Sequence, residues 1–245
     1  MHSTTRRRTT CGGVEDGRCD PDADNIFVLQ FTKKRLLGEG FIIFSKAVNL
    51  EDVDLILQEV GRDTFIRKTR NIFNPNTKRR VGALSEMKGK TARGRLEDII
   101  STTMLLRLGA DSKLEPDKPS VLVSEPSCAR QFAHRDYPKR GSKTRKKCAS
   151  YRDLHSHGKL SDQEGSDDNH DEIVAGIGAG FPVSGLLALQ SGTKFGLWKH
   201  SHDADKVYND EMQVVDLDPG DILMFHGSLV HCGMDYEARN IRVHW

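Results

Sequence analysis

The chain has 245 residues, 37 basic and 35 acidic side chains for a net charge of +2, and a hydrophobic fraction of 36%. That length suits one core with tails rather than two well-cored domains, and the near-balance of charge by itself points neither to a polyanion binder nor to an acidic solvating protein. No apolar run approaches the roughly 18 residues of a membrane span, no secretion-type stretch follows the N-terminus, and Cys11, Cys19, Cys128, Cys148 and Cys232 have no CxxC spacing, which argues against a disulfide framework and a zinc ribbon and for a reducing compartment.

Residues 1–25 have almost no large apolar side chains and are expected to form a disordered tail, with order beginning near Ile26-Phe27-Val28-Leu29. The segment 26–118 reads as a mixed, mainly helical layer. It holds a β-like run at Gly40–Phe44, then a helix capped by Asn49 with Leu50, Val53, Leu57 and Val60 on its apolar stripe. A second helix is expected over Arg95–Leu108, with Leu96, Ile99, Ile100, Met104 and Leu108 on one stripe and Gly109 as its stop. From residue 119 the pattern changes to short runs separated by turns: Ser120–Ser124, Arg130–Tyr137, Ser184–Gln190, Lys194–Lys199, Met212–Leu217, Ile222–Phe225, Leu229–Gly233 and Asn240–Trp245. The expected fold is mainly β with flanking helices, a sandwich or barrel core over 119–245. Within it, residues 138–172 begin with Lys139, Arg140 and Lys143 and end with Asp168, Asp171 and Glu172, the composition of a long disordered insert.

The chemistry-bearing feature of the core is Gln131-Phe132-Ala133-His134-Arg135-Asp136. On a strand, positions two apart share a face, so His134 and Asp136 point into one cavity and Arg135 points away. With ten histidines in the chain, a lone His-x-Asp is expected by chance. Specificity comes from the C-terminal run Asp218-Pro219-Gly220-Asp221 to His231-Cys232-Gly233, in which Pro219-Gly220 makes a turn and launches an apolar strand. The turn at Gly227-Ser228 then returns His231 on the next strand. Two histidines and one aspartate on adjoining strands can occupy three positions around a metal and leave three open. Arg242, on the last strand, carries a planar fork suited to a carboxylate.

The order His134-x-Asp136, His231, Arg242, with Pro219-Gly220-Asp221 before the second histidine, resembles the Fe(II)/2-oxoglutarate-dependent oxygenases, most closely the phytanoyl-CoA dioxygenase-like branch. The segment Ser191-Gly192-Thr193 to His200-Ser201-His202 adds to the likeness. The resemblance implies a double-stranded β-helix, a jelly-roll or cupin-like barrel. It implies that His134, Asp136 and His231 hold Fe(II), that Arg242 binds the distal carboxylate of 2-oxoglutarate, and that O2 is the third reactant. Succinate and CO2 would be released, a small or lipid-like organic substrate would be hydroxylated, and ascorbate would serve to keep the iron reduced.

Other features have plainer readings. His200, His202 and His226 read as hydrogen-bonded loop or core histidines rather than mouth residues, and Gln131 as a core amide. Ten lysines and arginines between Arg67 and Arg95 face a single Glu86. They read as a solvated connector, with attraction of an anionic substrate or a nucleic acid as the less favoured alternative. The opposing functional reading is a catalytically silent jelly-roll protein that binds a polyanion or protein partner through these basic segments. A cytoplasmic location is expected, with nucleus or organelle open. With only three residues after Arg242, the final strand is expected to fray.

Overall fold

In the computed structural model, which describes residues 18–19, 25–62, 67–68, 78–108, 119–137, 182–204 and 207–245, the short apolar runs pair as mainly antiparallel sheet. In chain order the elements are β1 (Arg18–Cys19), α1 (Asn25–Gly38), β2 (Phe41–Phe44), α2 (Leu50–Arg62), β3 (Arg67–Lys68), β4 (Arg79–Ala83), α3 (Lys90–Leu108), β5 (Ser120–Ser124), β6 (Val183–Ala188), β7 (Thr193–Leu197), β8 (Gln213–Leu217), β9 (Ile222–His226), β10 (His231–Gly233) and β11 (Asn240–His244). Eight strands form one sheet in the order β1-β2-β9-β6-β11-β5-β4-β3, and β10-β7-β8 form a second. The β1–β2 pair is parallel; every other pair is antiparallel.

Period-2 alternation divides the large sheet into two apolar faces. Ile42, Leu187, Met224, Val121, Val123, Ile241 and Val243 pack with residues of all three helices, among them Leu36, Ile56 and Leu96. The residues between them point the other way: Phe41, Ile43, Leu186, Leu223 and Phe225 meet Phe195, Leu197, Val215 and Leu217 of the small sheet. Each core side chain of this size contributes about 1.5–3 kcal/mol by leaving water. Ser184 and Arg242 lie on strands of the large sheet, and His231 lies on β10 of the small one.

Asn49 caps α2 as its sequence predicts, its Oδ1 accepting from the Asp52 amide at 2.8 Å. The buried stripe is Val53, Ile56 and Val60, whereas Leu50, expected inside, is 61% exposed. The helix α3 starts at Lys90, earlier than the expected Arg95. The region read as a connector contributes strands: β4 pairs along its whole length with β5, so the N-terminal segment is woven into the main sheet rather than only packed on it. Within the expected tail, Arg18–Cys19 pairs with Ile43–Phe44. The expected insert and Gly109 lie outside the described residues.

The final strand is not a frayed edge. It runs between β5 and β6, and Trp245 exchanges backbone hydrogen bonds with Gly185 at 2.9 and 3.0 Å while its ring is buried. The Pro219-Gly220 turn is locked by the fold. Gly220 has φ +89°, and a Cβ there would stand 2.3 Å from the Val48 carbonyl oxygen, so only glycine fits. The buried Asp221 accepts from the Lys46 amide at 2.8 Å and the Asp218 amide at 3.1 Å, tying the β8–β9 turn to the chain entering α2.

Candidate metal centre

The run Arg130–Tyr137, expected as a strand, bends at Asp136–Tyr137 and forms one bridge with β10 at His134. There His134 and His231 stand opposite each other and exchange both backbone hydrogen bonds at 2.9 Å. Directly opposed residues of an antiparallel pair send their side chains to the same side. The two imidazole rings accordingly lie 4.4 Å apart between centroids. Asp136, two positions beyond His134, shares that side, its amide held by the Gly227 carbonyl at 3.1 Å. The donor atoms of His134, Asp136 and His231 all lie within 4.8 Å of one another.

Backbone carbonyls set the chemistry of both histidines. His134 Nδ1 lies 2.8 Å from the Phe132 carbonyl oxygen, and His231 Nδ1 lies 2.9 Å from that of Leu229. A carbonyl only accepts, so each Nδ1 carries the proton and each Nε2 presents a lone pair. The Nε2 of His231 faces Asp136 Oδ1 at 3.5 Å. The other carboxylate oxygen, Oδ2, accepts from Ser184 Oγ at 2.8 Å and has His244 Nε2 at 3.7 Å. One oxygen is thus held from outside while its twin faces the histidines, the arrangement that orients a ligating carboxylate. Phe195 and Phe225 cover His231 with ring centroids at 5.2 and 4.8 Å.

Burial pushes His134 down to about 3, aided by the neighbouring His231, so its ring is neutral at physiological pH and available as a ligand. Burial alone would raise the Asp136 carboxyl, but His231, His244 and His134 reverse this and hold it well below the usual carboxylate range. Away from the centre, burial and then His202 push His226 down to about 4. Unfolded, both histidines take up protons near 6.5. Folded, they resist until about 3 and 4, so the unfolded state binds more protons below neutrality and stability falls with pH. The metal-free protein is therefore expected to lose urea resistance steadily as pH drops from about 6.5 toward 4; a flat unfolding midpoint across that interval would contradict the burial of these rings.

Arg242 is buried on β11, its Nη1 donating to Ser124 Oγ at 3.0 Å and its guanidinium 5.3 Å from the Tyr236 ring centroid. The structure brings it to Gly233, two positions along β10 from His231: a Cβ on Gly233 would stand 3.3 Å from Arg242 Nη2. Gln131 closes the same corner, its Oε1 accepting from the Gly233 amide at 2.9 Å, which is the structural role expected of it. His200 and His202 hydrogen-bond the carbonyls of Gly38 and Leu37 at 2.7 and 3.0 Å, occupying the end of α1 rather than the site. Cys232 is buried and pushed up to about 11 by its burial, an unreactive thiol. Sequence reasoning missed Ser184, Ser124 and Arg79 at the site. For the two serines, polarity within the apolar strands β5 and β6 was the available signal; Arg79 gave none. His244, two residues beyond Arg242, also lies beside Asp136.

Neither a protein-family model nor a curated protein matches the sequence. Solved structures do match. HygX from Streptomyces hygroscopicus, solved with nickel and 2-oxoglutarate bound, aligns with a TM-score of 0.59 at 13% identity over 88% of this chain and 85% of its own. The non-haem α-ketoglutarate-dependent epimerase SnoN from nogalamycin biosynthesis aligns at 0.56 and 14% identity over 89% and 82%. A prolyl hydroxylase from Trichoplax adhaerens, in complex with a hypoxia inducible factor peptide fragment, aligns at 0.55 and 14% identity over 92% and 94%. By this likeness the chain has the jelly-roll fold of the 2-oxoglutarate-dependent non-haem iron oxygenases, and it carries a His-Asp-His cluster between its sheets.

Proposed function

We propose that this protein is an Fe(II)- and 2-oxoglutarate-dependent dioxygenase that hydroxylates a small organic substrate, and that its two sheets are the halves of a double-stranded β-helix. The observation that carries this reading is the convergence of two histidines, each with Nδ1 tied to a backbone carbonyl, on one carboxylate, with a buried arginine two strand positions away. The donor set fits a non-haem iron centre: two imidazoles and one carboxylate would occupy one side and leave three positions open.

In this reading His134, Asp136 and His231 hold the metal. Arg242 binds the distal carboxylate of 2-oxoglutarate. Iron with 2-oxoglutarate and O2 supplies the oxidant, 2-oxoglutarate leaving as succinate and CO2, and ascorbate maintains the reduced metal. The chain's own part is to fix the donors and keep water out. Ser184 holds Asp136 in one orientation, and Phe195 and Phe225 shield His231. Asp136, with a side chain 22% exposed, marks the side open to substrate.

Matching structures contain hygromycin B in HygX and nogalamycin RO in SnoN, which supports a small molecule here; selectivity in such folds resides in the loops. Placement in the phytanoyl-CoA dioxygenase-like branch, and with it a lipid-like substrate, rests on the motif order. The test is anaerobic addition of Fe(II) and then 2-oxoglutarate to the purified protein, followed by O2. A visible metal-to-ligand absorption band and subsequent succinate are expected. A folded sample giving neither overturns the reading in favour of a silent jelly-roll binder.

A further inference from the structure

Arg79 belongs to the basic run whose composition suggested a solvated connector, and two of its neighbours behave that way. Lys78 is exposed, and the half-buried Arg80 pairs with Glu125. Arg79 is instead 3% exposed at the start of β4. Its burial follows from strand register. Arg79 stands opposite Ser124 of β5, and Ser124 stands opposite Asn240 of β11. Because Val121, Val123, Ile241 and Val243 face the helices, Ser124, Asn240, Arg242 and His244 face the other sheet, and Arg79 joins their row.

Along β11 this face carries an ordered series. His244 reaches the carboxylate of Asp136 at one end, Arg242 comes next, and Arg79 lies beside Arg242 across Ser124. Both arginines donate to the same hydroxyl, Arg79 through Nε at 3.3 Å and Arg242 through Nη1 at 3.0 Å. Their outer nitrogens also meet at one place: the position a Gly233 Cβ would take lies 3.3 Å from Arg242 Nη2 and 3.3 Å from Arg79 Nη2. Glycine at 233 leaves room there for the Gln131 amide oxygen, 2.5 Å from that position, and for both forks beside it. Arg79 Nη2 also donates to the Met234 carbonyl and Arg242 Nη1 to Asn240 Oδ1.

Two buried guanidiniums side by side repel each other, and an anion bound between their forks relieves that repulsion. Burial, and next the charge of Arg242, lower Arg79 to about 10, yet it stays cationic at neutral pH. A carboxylate offers about four lone-pair positions on two oxygens, enough to accept from two forks at once. Gly233 lies two residues beyond His231 on one face of β10, which sets the paired arginines about 7 Å along the strand from the metal end. That separation suits a five-carbon dicarboxylate bound to the metal through its keto-acid end.

We propose that Arg79 is a second carboxylate-binding residue of this site, forming with Arg242 a two-guanidinium clamp on the distal carboxylate of the dicarboxylate cosubstrate. The proposal rests on the oxygenase reading above and extends it to a residue on the N-terminal part of the sheet. It makes recognition depend on the distal charge: a keto acid without that carboxylate gains nothing from the clamp.

The test measures binding directly. Calorimetric titration of 2-oxoglutarate and of pyruvate, which lacks the distal carboxylate, into the anaerobic Ni(II)-loaded protein compares wild type with Arg79→Met and Arg79→Lys. Steady-state succinate formation from the iron enzyme supplies KM and kcat. Arg79→Met is expected to weaken 2-oxoglutarate about 10- to 100-fold, the loss of charge-assisted hydrogen bonds, while pyruvate binding is unchanged and kcat is largely kept. Arg79→Lys, which keeps the charge without the fork, is expected to fall between, and it decides the matter if the methionine variant does not fold. A purely structural Arg79 would lower thermal stability and weaken both keto acids equally, or neither; either pattern overturns the inference. Failure of wild type to bind 2-oxoglutarate would overturn the oxygenase reading instead, so the two failures are distinct.

Discussion

His134→Ala is expected to reduce 2-oxoglutarate-dependent succinate formation to background and to leave the purified protein with far less than one equivalent of Fe(II). The reason is geometric. The three donors come from two chain segments that face each other at the His134–His231 bridge, and His134 is both a member of that bridge and a donor. Alanine keeps the backbone hydrogen bonds with His231 at 2.9 Å but removes the imidazole whose Nδ1 the Phe132 carbonyl holds. Two donors on one side of a metal bind it much more weakly than three. Loss of outer-shell partners alone costs about 10- to 100-fold in affinity or activity, so loss of a ligand is expected to exceed roughly 100-fold. Asp136→Asn is the companion variant, since the amide keeps the shape and the Ser184 contact but not the charge. Metal analysis and succinate quantification check both; turnover in His134→Ala near that of the wild type would remove the metal assignment.

The second large effect is expected at Arg135, between the two ligands and pointing away from them. Its guanidinium is buried and donates to the carbonyls of Ser201 at 2.7 Å, Ala204 at 2.9 Å and Ser228. Ser201 also accepts, through its hydroxyl, from the Val230 amide at 2.8 Å, one residue before His231. Arg135→Met fills similar volume but removes the charged donor from all three carbonyls; that of Ser201 keeps the Ala204 amide at 3.2 Å, while a buried carbonyl left unsatisfied costs about 1–3 kcal/mol. A destabilisation of about 3–5 kcal/mol is expected, which lowers the thermal midpoint by on the order of 10 °C. Arg135→Lys is expected to recover only part, because one ammonium does not span three carbonyls. Iron affinity should fall with it, since the same side chain fixes the backbone that presents His134 and Asp136. An unchanged midpoint in thermal denaturation would show that the three carbonyls have other partners.

Much of the site was legible because strand periodicity is local. Positions two apart share a face, so His134 and Asp136 were readable as neighbours and Arg135 as outward, and Pro219-Gly220 was readable as a turn from its own dihedral preferences. The helix α1 was less legible, since four successive apolar residues, Ile26 to Leu29, carry no single period. Leu50 fitted the apolar stripe of α2 yet lies outside, because a periodic pattern identifies a face but not how far along the helix its packing extends. The final strand was expected to fray because its position in the chain is terminal, whereas its position in the sheet is between β5 and β6.

Local sequence therefore singled out His134, Asp136, His231 and Arg242 as candidates and indicated that His134 and Asp136 share a face. The tertiary structure decided which of them meet. Arg79 is the clearest case: among ten basic residues nothing in the composition distinguishes it, and only the register Arg79–Ser124–Asn240 across three strands turns it inward to Arg242. Ser184 and His244 likewise reach Asp136 from strands far away in sequence. Side-chain direction is set by the backbone within a few residues, but partnership between strands is set by which register buries the most apolar surface, and that is a property of the whole sheet.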